Sequence, residues 1–527
     1  MKRRDYLLLF LLAFGLALGL SIFFTAPGYM DAEYYFALGQ RLAQGHGFSE
    51  PFLWNYLDNP AGLPHPSHAY WMPLASLLAA LGLRLSGTAA FAAGRFPFLL
   101  AAGCIPPLTA ALAYSFTSRR DLALLSGLLA LFPGYYLAFL VTTDTFGLYM
   151  LLGGAFLLLA GPGVKTGGWR FLLLGVTAGL MHLARADGLL WLGLAFLAAL
   201  LAVWRRGEPE GGLRGFLALA GPALLGYLLV MGPWMARNFS VFGSPLAPGG
   251  AKALWLLDYD ELYAYPASLL TPQRWLASGW GRILEARLQA GGTNLLHTLA
   301  VQGQVFLLPL AAAGLWRLRE DRRVLLAGAG WLLTLVVMSL VFPFQGARGG
   351  YFHSGAALQP LIWAAAPLGL EAFIEWGVRR RGWAASSAGL VFRSALVVLA
   401  ALMTVFLATG RAAEARTGGS PESGPVEYAA VQGMLQAAGA GEEDIILVNN
   451  TPGFYLASGR PAISIPNGGV DTLLAAGRRY GARFVLLEYN HPAPLHELYA
   501  HPGDREGLAY LGQASGVYLF EILGAAE

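Results

Sequence analysis

Apolar stretches long enough to form membrane-spanning helices recur along the first 410 residues of the chain. A helix needs about 17 to 25 predominantly apolar residues to cross about 30 Å of hydrocarbon. By that length the pattern predicts about eleven spans, and therefore a polytopic α-helical membrane protein. The predicted spans are approximately 6–24, 95–116, 121–140, 145–161, 170–185, 188–204, 214–232, 295–316, 324–343, 355–376 and 388–409.

The Lys and Arg residues between the spans predict the orientation. If the N-terminus is cytoplasmic, every short basic cluster lies on one side, as the positive-inside bias requires, and an odd number of spans puts the C-terminus outside. We expect a multi-pass protein of the cell inner (plasma) membrane, with its first apolar run retained as an anchor. Residues 73–86 are short for a span, and we predict a re-entrant or interfacial helix on the outer face. The clusters are Lys2 to Arg4, Arg119-Arg120, Lys165 to Arg170, Arg205-Arg206, Arg317 to Arg323 and Arg379 to Arg381.

The chain after about residue 410 has a different pattern. Residues 411–425 read as a polar linker, and 426–527 alternate helix-like segments such as VEYAAVQGMLQAAG with strand-like segments such as DIILVNN and RFVLLEY. This alternation predicts a small α/β extracytoplasmic domain. The predicted division is thus a transmembrane domain (1–410) with outer loops at about 25–94 and 233–293, a linker, and this domain.

Composition supports the membrane interpretation. Of 527 residues, 56% are hydrophobic and only 13% are charged, whereas about a quarter of a soluble chain is charged. A single cysteine, Cys104, excludes both an intrachain disulfide and a Cys-based zinc site. The net charge of +4 is small, and no nucleic-acid partner is expected.

Ionisable side chains at the predicted outer ends of helices are the candidates for function, because burying them near hydrocarbon requires a partner or a water-filled cavity. Asp31 and Glu33 follow the first span and begin a helix that we predict to be amphipathic and to lie on the outer surface. Asp31 is either a helix cap or a general base. Asp144, in LVTTDTFGLYM, is either a turn residue or a second functional acid.

Two further groups lie at predicted outer helix ends. His182, Arg185 and Asp187 form either a local ion pair with a neighbouring histidine or part of a site. Three arginines could each anchor to lipid headgroups, but together they suit a phosphate, since guanidinium presents a planar fork of donors to phosphate oxygens. These arginines are Arg95, Arg237 and Arg348.

Histidines and aromatic residues leave alternatives open. A divalent metal is possible at some combination of His65, His68, His353 and Glu33, although the spacing HPSH matches no recognised ligand pattern, and no cofactor is predicted with certainty. Aromatic side chains in the first outer loop suit either stacking on sugar rings or an interfacial belt. They are Tyr34, Tyr35, Trp54, Tyr56, Tyr70 and Trp71.

The order of these motifs resembles a known superfamily. An Asp directly after the first helix is followed by a short apolar helix opened by Pro (YWMPLASLLAALG) and by an Arg leading the next helix (AAGRFPF). The segments TTDTFG, HLARADGLL and PWMARNFSVFGSPLAPGG follow. Over roughly residues 1–410 this order is similar to the GT-C glycosyltransferases, in particular the protein O-mannosyltransferase and aminoarabinose-transferase branches and bacterial family 39-like members.

The resemblance implies a hexosyl or pentosyl group carried on a polyprenyl phosphate and transferred, with inversion, to a protein, lipid or glycan acceptor on the outer face. Asp31 stands in place of the first-loop catalytic aspartate, Asp144 in place of the second-loop acidic residue, and Arg95 near the lipid phosphate. The chain has Asp-Ala-Glu where the mannosyltransferases have adjacent Asp and Glu, so no role is carried over to Glu33. The segment from His68 to Pro73 replaces the Lys that precedes two prolines in aminoarabinose transferases.

We therefore expect a lipid-linked sugar transferase, with Asp31 as general base and arginines stabilising the departing phosphate. A transporter or flippase without transferase activity is the alternative, but it should place ionisable or helix-breaking residues near the bilayer midplane. A scaffold presenting its C-terminal domain to partners would leave the grouping of acids and arginines unexplained.

Overall fold

The computed structural model describes residues 1–161, 167–204, 212–417 and 424–524. The chain forms two compact units, each built from separated segments. The helical unit contains Met1–Phe23, Phe96–Leu246 and Ala286–Ala412. The mixed unit contains Phe24–Arg95, Ala247–Glu285 and Ala413–Glu527. The division into 1–410, 411–425 and 426–527 stays a prediction, and residues 418–423 of the predicted linker lie outside the described residues.

Helices dominate the described chain, and a small sheet is formed mostly by C-terminal segments. The strands are β1 Ser49–Glu50, β2 Phe52–Leu53, β3 His65–Pro66, β4 Ile445–Val448, β5 Ala462–Ser464, β6 Ala482–Leu487, β7 Leu508–Ala514 and β8 Val517–Ile522. The α-helices are α1 Arg3–Ser21, α2 Met30–Ala43, α3 Leu74–Ser86, α4 Phe91–Thr117, α5 Arg120–Leu131, α6 Phe146–Ala160, α7 Gly168–Ala184, α8 Leu189–Trp204, α9 Gly212–Phe242, α10 Gly249–Lys252, α11 Pro272–Ala277, α12 Trp280–His297, α13 Leu307–Arg317, α14 Arg322–Val336, α15 Pro343–Gln345, α16 Tyr351–Gly355, α17 Gln359–Arg381, α18 Ala385–Thr417, α19 Gly424–Ala437, α20 Thr451–Ser458, α21 Val470–Tyr480 and α22 His496–Ala500.

Within the described residues, seven helices are long and apolar enough to cross a membrane, or up to nine if each of two bent pairs counts as one span. The predicted count of eleven is not confirmed. The difference lies in α6 and α7, which occupy two predicted spans but have only 15 and 17 residues. The bent pairs are Arg120–Leu131 with Gly134–Val141, at 64°, and Trp280–Gln302 with Leu307–Arg317, at 90°.

Glycines allow a close helix crossing in the helical unit, between α7 and α9. A Cβ added at Gly175 would lie 1.8 Å from the Ala223 carbonyl oxygen, and one at Gly226 would lie 2.0 Å from the Leu172 carbonyl oxygen. Gly179, four residues after Gly175, also faces α9. Small residues at this spacing let membrane helices approach until their backbones touch, where van der Waals packing holds them.

Several of the predicted cytoplasmic arginines have protein partners in the helical unit. Arg120 forms an ion pair with the buried Asp5 at 2.7 Å. Arg323 is 1% exposed and pairs with Asp321, also at 2.7 Å, and Arg170 donates to carbonyl oxygens at the C-terminal end of α6. Lys165 and the Arg205-Arg206 cluster lie outside the described residues, and the side that these clusters face stays a prediction.

The mixed unit contains a six-stranded sheet in the order β2-β5-β4-β6-β8-β7. The predicted strands and helices of the C-terminal segment are confirmed: β4, β5 and β6 are parallel, and β8 and β7 continue the sheet antiparallel. The remaining edge strand, β2, comes from the first predicted loop and pairs parallel with β5, Phe52 opposite Ala462. The first loop and the C-terminal segment therefore share one sheet.

Side chains of the first loop also fill the core of the mixed unit. Leu53 and Tyr56, each 1% exposed, pack in one apolar cluster with Leu447, Ile463 and Phe520. The Tyr56 hydroxyl donates to the Ser464 carbonyl, and the Ser464 hydroxyl donates back to the Trp54 carbonyl at 2.7 Å. These contacts bury loop residues that would be solvated if the two segments folded apart.

The helix predicted to begin near Asp31 is confirmed as α2, its position on the outer face stays a prediction, and the exposed polar face of an amphipathic helix is not found over its first half. Every residue from Ala32 to Gly39 is buried. Gly39 allows α3 to approach closely, since an added Cβ would lie 2.7 Å from the Ala79 Cβ, and α20 packs on α2 as well. The predicted apolar face is buried as expected, and neighbours from distant segments also cover the polar face between Ala32 and Gly39.

Candidate functional site

Asp31 lies in the first turn of α2 and keeps partial exposure, although the eight residues that follow are buried. The N-cap is Tyr29, in an extended conformation, so Asp31 is inside the helix and the capping alternative is not supported. A carboxylate in a first turn is stabilised by the partial positive charge of the helix N-terminus. The structure thus places a partly exposed acid at the start of a helix whose next eight residues are enclosed.

Glu33, on the same helix, is fully buried at 0% exposure. Its Oε2 accepts a hydrogen bond from Asn450 Nδ2 at 2.7 Å. Asn450 is the N-cap of α20, and its Oδ1 accepts from the Gly453 backbone N–H at 3.2 Å. Sequence reasoning missed Asn450, because nothing local marks a residue more than four hundred positions away as a partner of Glu33.

A buried polar chain lies beside Glu33. The Tyr34 hydroxyl donates to Glu50 at 2.8 Å. His65 contacts Glu50 at 3.6 Å through Nδ1 and Asp58 at 3.0 Å through Nε2. The pairing of β1 with β3 sets Glu50 opposite His65. Glu50 and Asp58 were not among the candidate residues, and no spacing in the sequence indicated them.

Burial and charge determine the protonation of this chain. Burial lowers the pKa of His65, but hydrogen bonds and the charges of Asp58 and Glu50 outweigh burial and raise that pKa to about 9. Burial raises the pKa of Glu50, and its contacts with His65 offset part of that rise. His65 is therefore an imidazolium held between two carboxyl groups at neutral pH.

His68 and Tyr35 are positioned as parts of the same buried region. The His68 backbone N–H donates to the Tyr34 hydroxyl at 2.9 Å, and its ring nitrogens contact the hydroxyls of Ser67 at 2.8 Å and Ser76 at 3.1 Å. Tyr35 is 1% exposed and lies edge-on to Tyr34. Trp54 and Tyr56 are buried too, so of the six loop aromatics only Tyr70 and Trp71 keep partial exposure.

Arg95 belongs to the mixed unit with Asp31, near the beginning of α4. It is 8% exposed, donates to the Phe24 carbonyl oxygen and lies over the Phe91 ring, 4.9 Å from its centroid. Its guanidinium is therefore held by the segment that joins α1 to α2. Its predicted role near a lipid phosphate stays a prediction.

In the helical unit, the structure brings Asp144 and His353 together. Asp144 Oδ2 lies 3.2 Å from His353 Nε2, and the Asp144 side chain is 0% exposed. The other oxygen, Oδ1, accepts from the Thr145 hydroxyl at 3.2 Å. The His353 ring stacks on Phe146 with centroids 3.8 Å apart. Asp144 is thus a buried acid with fixed partners.

The geometry of His353 determines how many protons the pair carries. Its Nδ1 lies 3.0 Å from the Gly349 carbonyl oxygen, which can only accept, so Nδ1 carries a proton. The contact between Nε2 and Asp144 then requires one further proton, on the ring or on the carboxyl group. The pair therefore shares a single proton, as an ion pair or as a neutral acid and imidazole.

Arg185 and Asp187 form the local ion pair that was one of the two alternatives, at 3.0 Å. Asp187 also accepts from the Tyr149 hydroxyl at 3.2 Å, which ties this pair to α6. His182 contacts a different partner, the Tyr227 hydroxyl of α9, at 2.6 Å. These contacts connect α6, α7 and α9 and favour a positioning role.

The other two candidate arginines lie in the helical unit. Arg237 donates to Asn238 at 3.1 Å and lies over the Trp234 ring at 4.8 Å. Arg348 lies on a π-helical segment, Gly346–Gly350, in which Gly349 has a φ of 141°. Non-helical backbone within a membrane bundle is tolerated where protein or a water-filled cavity surrounds it. Arg348 and His353 therefore share an irregular region of the bundle.

Among the residues described, no group of three or more His, Cys, Asp and Glu side chains is arranged to hold a metal ion. His65 and His68 have both ring nitrogens engaged by protein groups. The residues weighed as metal ligands thus do not form one set, and we derive no chemical step through a metal.

The helical unit and the mixed unit have a fold that is also found in solved structures of a membrane oligosaccharyltransferase, and the resemblance found in the sequence is supported at the level of fold. No family model matches the chain, and no curated protein matches it significantly in sequence. The likeness comes from solved structures and concerns the fold alone.

Two of the similar solved structures are forms of the Archaeoglobus fulgidus oligosaccharyltransferase AglB. The form solved with zinc and sulfate matches at a TM-score of 0.57 and 13% identity, over 93% of this chain and 69% of that chain. The form solved with an inhibitory peptide and a dolichol-phosphate matches at 0.53 and 12% identity, over 94% and 70%. ArnT from Cupriavidus metallidurans, bound to undecaprenyl phosphate, aligns over 100% of both chains at 12% identity with a TM-score of 0.40.

Proposed function

We propose that the protein is a glycosyltransferase that moves a sugar from a polyprenyl-phosphate-linked donor to an acceptor hydroxyl on the outer face of the membrane. The observation that carries the proposal is Asp31, a partly exposed acid at the beginning of a buried helix, in a chain with a GT-C-like fold. The AglB structure solved with a dolichol-phosphate and an inhibitory peptide gives precedent within this fold for binding a lipid phosphate and a peptide.

The proposed reaction is an inverting displacement. Asp31 takes the proton of the acceptor hydroxyl as its oxygen attacks the anomeric carbon from the face opposite the phosphate. The bond from that carbon to the phosphate oxygen breaks, and the polyprenyl phosphate leaves with the bonding electrons. Arg95, Arg237 and Arg348 are the proposed cations that stabilise its charge, since guanidinium groups bind phosphate oxygens through paired hydrogen bonds.

The second acid has a supporting role in this proposal. Asp144 shares its proton with His353 and is fully enclosed. Such a group suits a role in holding neighbouring side chains in place or in setting the local electrostatic field, more than a role in exchanging protons with an acceptor. His182, Arg185 and Asp187 position the helices around it. Asp31 is therefore the general base that we assign.

The test is Asp31→Asn in purified protein reconstituted with a panel of polyprenyl-phosphate sugars, read by mass spectrometry of the products. Asn keeps the shape but cannot accept the proton, so we expect transfer to fall by at least about a hundredfold, a typical contribution of general base catalysis, while donor binding persists. Asp471→Asn is the matched control, because Asp471 also lies in the first turn of a helix, α21, and is exposed.

Full activity of the Asp31→Asn protein removes Asp31 as the base. Movement of a labelled polyprenyl-phosphate lipid across the bilayer, without any glycosylated product, supports the transporter or flippase instead.

A further inference from the structure

The Glu33–Asn450 hydrogen bond joins the helix of the proposed base to the C-terminal segment. Both groups of the Asn450 amide are assigned by their partners: Nδ2 donates to the Glu33 carboxyl group, and Oδ1 accepts from the Gly453 N–H. Exchanging the oxygen and nitrogen would place a donor against a donor and an acceptor against an acceptor. Asn450 is therefore held in one orientation, with α20 capped by the same side chain.

Gly453 makes this approach possible. A Cβ at Gly453 would lie 2.7 Å from Glu33 Oε2 and also 2.7 Å from Asn450 Nδ2, closer than side-chain carbons come to either atom. The first turn of α20 thus lies against the Glu33 carboxyl group, with no room for a larger residue. Glu33 is 0% exposed, so its side of α2 is fully covered by neighbouring residues.

The position of Glu33 relates this contact to Asp31. Two residues along an α-helix correspond to about 200° of rotation, so Glu33 and Asp31 lie on nearly opposite sides of α2. Tyr34, next to Glu33, is held in place by the hydrogen bond from its hydroxyl to the Glu50 carboxyl group, at 2.8 Å. Contacts on the enclosed side of the helix therefore set its rotation about its own axis, and that rotation determines where the Asp31 carboxylate points.

We propose that Asn450, with the space that Gly453 leaves, is a positioning residue for the glycosyl transfer, holding Glu33 and so fixing the rotation of α2 that presents Asp31. This inference rests on the proposed function. It assigns the C-terminal segment a part in the active site of the same chain. A shift of about 1 Å in a catalytic group can lower a rate a hundredfold, so a loss of this anchor should reach the chemistry.

The test exchanges the donor and the acceptor in the full-length protein. Asn450→Asp sets two carboxyl groups face to face in a buried site, where one of them must hold a proton or move away. We expect kcat to fall by at least about tenfold, with the KM for the lipid donor changed by less than about threefold. Adding Glu33→Gln restores a donor and an acceptor across the contact, because the amide introduced at position 33 can donate to the carboxylate introduced at position 450. That carboxylate still caps α20. The double variant should recover kcat to that of Glu33→Gln alone.

Two further variants separate positioning from folding. Asn490→Asp makes the same change at an exposed site of the C-terminal segment and should leave kcat unchanged. Gly453→Ala crowds Glu33 without changing any charge, and it should also lower kcat while leaving KM nearly unchanged. If Asn450→Asp fails to fold, Gly453→Ala tests the positioning role in its place. A structural role alone would reduce the folded fraction and leave kcat per folded molecule as in the wild type.

The outcomes are distinguishable. Unchanged kcat in Asn450→Asp and Gly453→Ala, or no recovery in the double variant, overturns the positioning role while wild-type transfer still supports the proposed function. Absence of transfer by the wild type, or full activity of Asp31→Asn, overturns the proposed function and the positioning role with it.

Discussion

His65 gives the mixed unit a pH-dependent stability whose sign and size follow from its contacts. Its pKa rises from 6.5 to about 9 in the folded chain, because Asp58 and Glu50 outweigh the effect of burial. The folded protein therefore holds this proton more tightly than the unfolded chain does. The stabilisation is fully present below about pH 6.5 and is lost as the pH rises through about 9. A shift of this size corresponds to roughly 3 kcal/mol.

The measurement is the unfolding free energy or midpoint of the purified full-length protein between pH 6 and about 9.5, for the wild type and for His65→Gln. We expect the wild type to lose roughly 3 kcal/mol more than the variant over this range. His46→Gln is the matched control, since His46 is exposed in the same loop. The pKa of Tyr34, raised by burial well above 10, keeps that group outside this range. Parallel pH profiles for the wild type and His65→Gln would refute the reasoning.

Two more predictions concern the helical unit. His353→Phe removes the partner of a buried acid and should lower the free energy of unfolding by about 3 kcal/mol. Adding Asp144→Asn to that variant should recover much of the loss. Additive effects of the two substitutions in a double-mutant cycle of unfolding would contradict the shared proton. Gly175→Ala brings a Cβ to 1.8 Å from the Ala223 oxygen and should destabilise by about 1–3 kcal/mol or more. Gly193→Ala, in α8 with nothing within 4 Å, should be nearly neutral in the same thermal assay, and equal effects of the two changes would exclude a close α7–α9 crossing.

The elements of the fold that depend on local pattern were predictable from the sequence. Apolar length marks a membrane helix wherever it lies, and short β-rich segments mark strands, so β4 and β6 appear where the sequence predicts them. The predicted count of eleven spans is not confirmed, because α6 and α7 have only 15 and 17 residues and because two of the other spans bend. Bends at Pro133 and near Gln304 interrupt helices without interrupting the apolar pattern.

The contacts that assemble the candidate site were not predictable, because each joins residues far apart in the chain. The sequence singled out Asp144 and His353 separately, but their pairing depends on how α6 and α16 pack. β2 has two residues and no signal that it would add to a sheet formed beyond residue 440. For Glu33, the Asp-Ala-Glu spacing differs from the adjacent Asp and Glu of the mannosyltransferases that the sequence resembles, and only the structure shows its carboxyl group turned toward Asn450.

The shared sheet argues against treating the C-terminal segment as an appended module. An appended domain would keep its core when the rest of the chain is removed, whereas here Leu53 and Tyr56 of the first loop lie within that core. Conversely, without the C-terminal segment, β2 would lose its partner strand, and Glu33 would lose its hydrogen bond with Asn450. Uncovering buried apolar side chains costs about 25 cal/mol for each Å² exposed, and leaving a buried carboxyl group without its partner costs more than a neutral group would. The helix that carries Asp31 therefore acquires its final environment only when residues from both ends of the chain have come together.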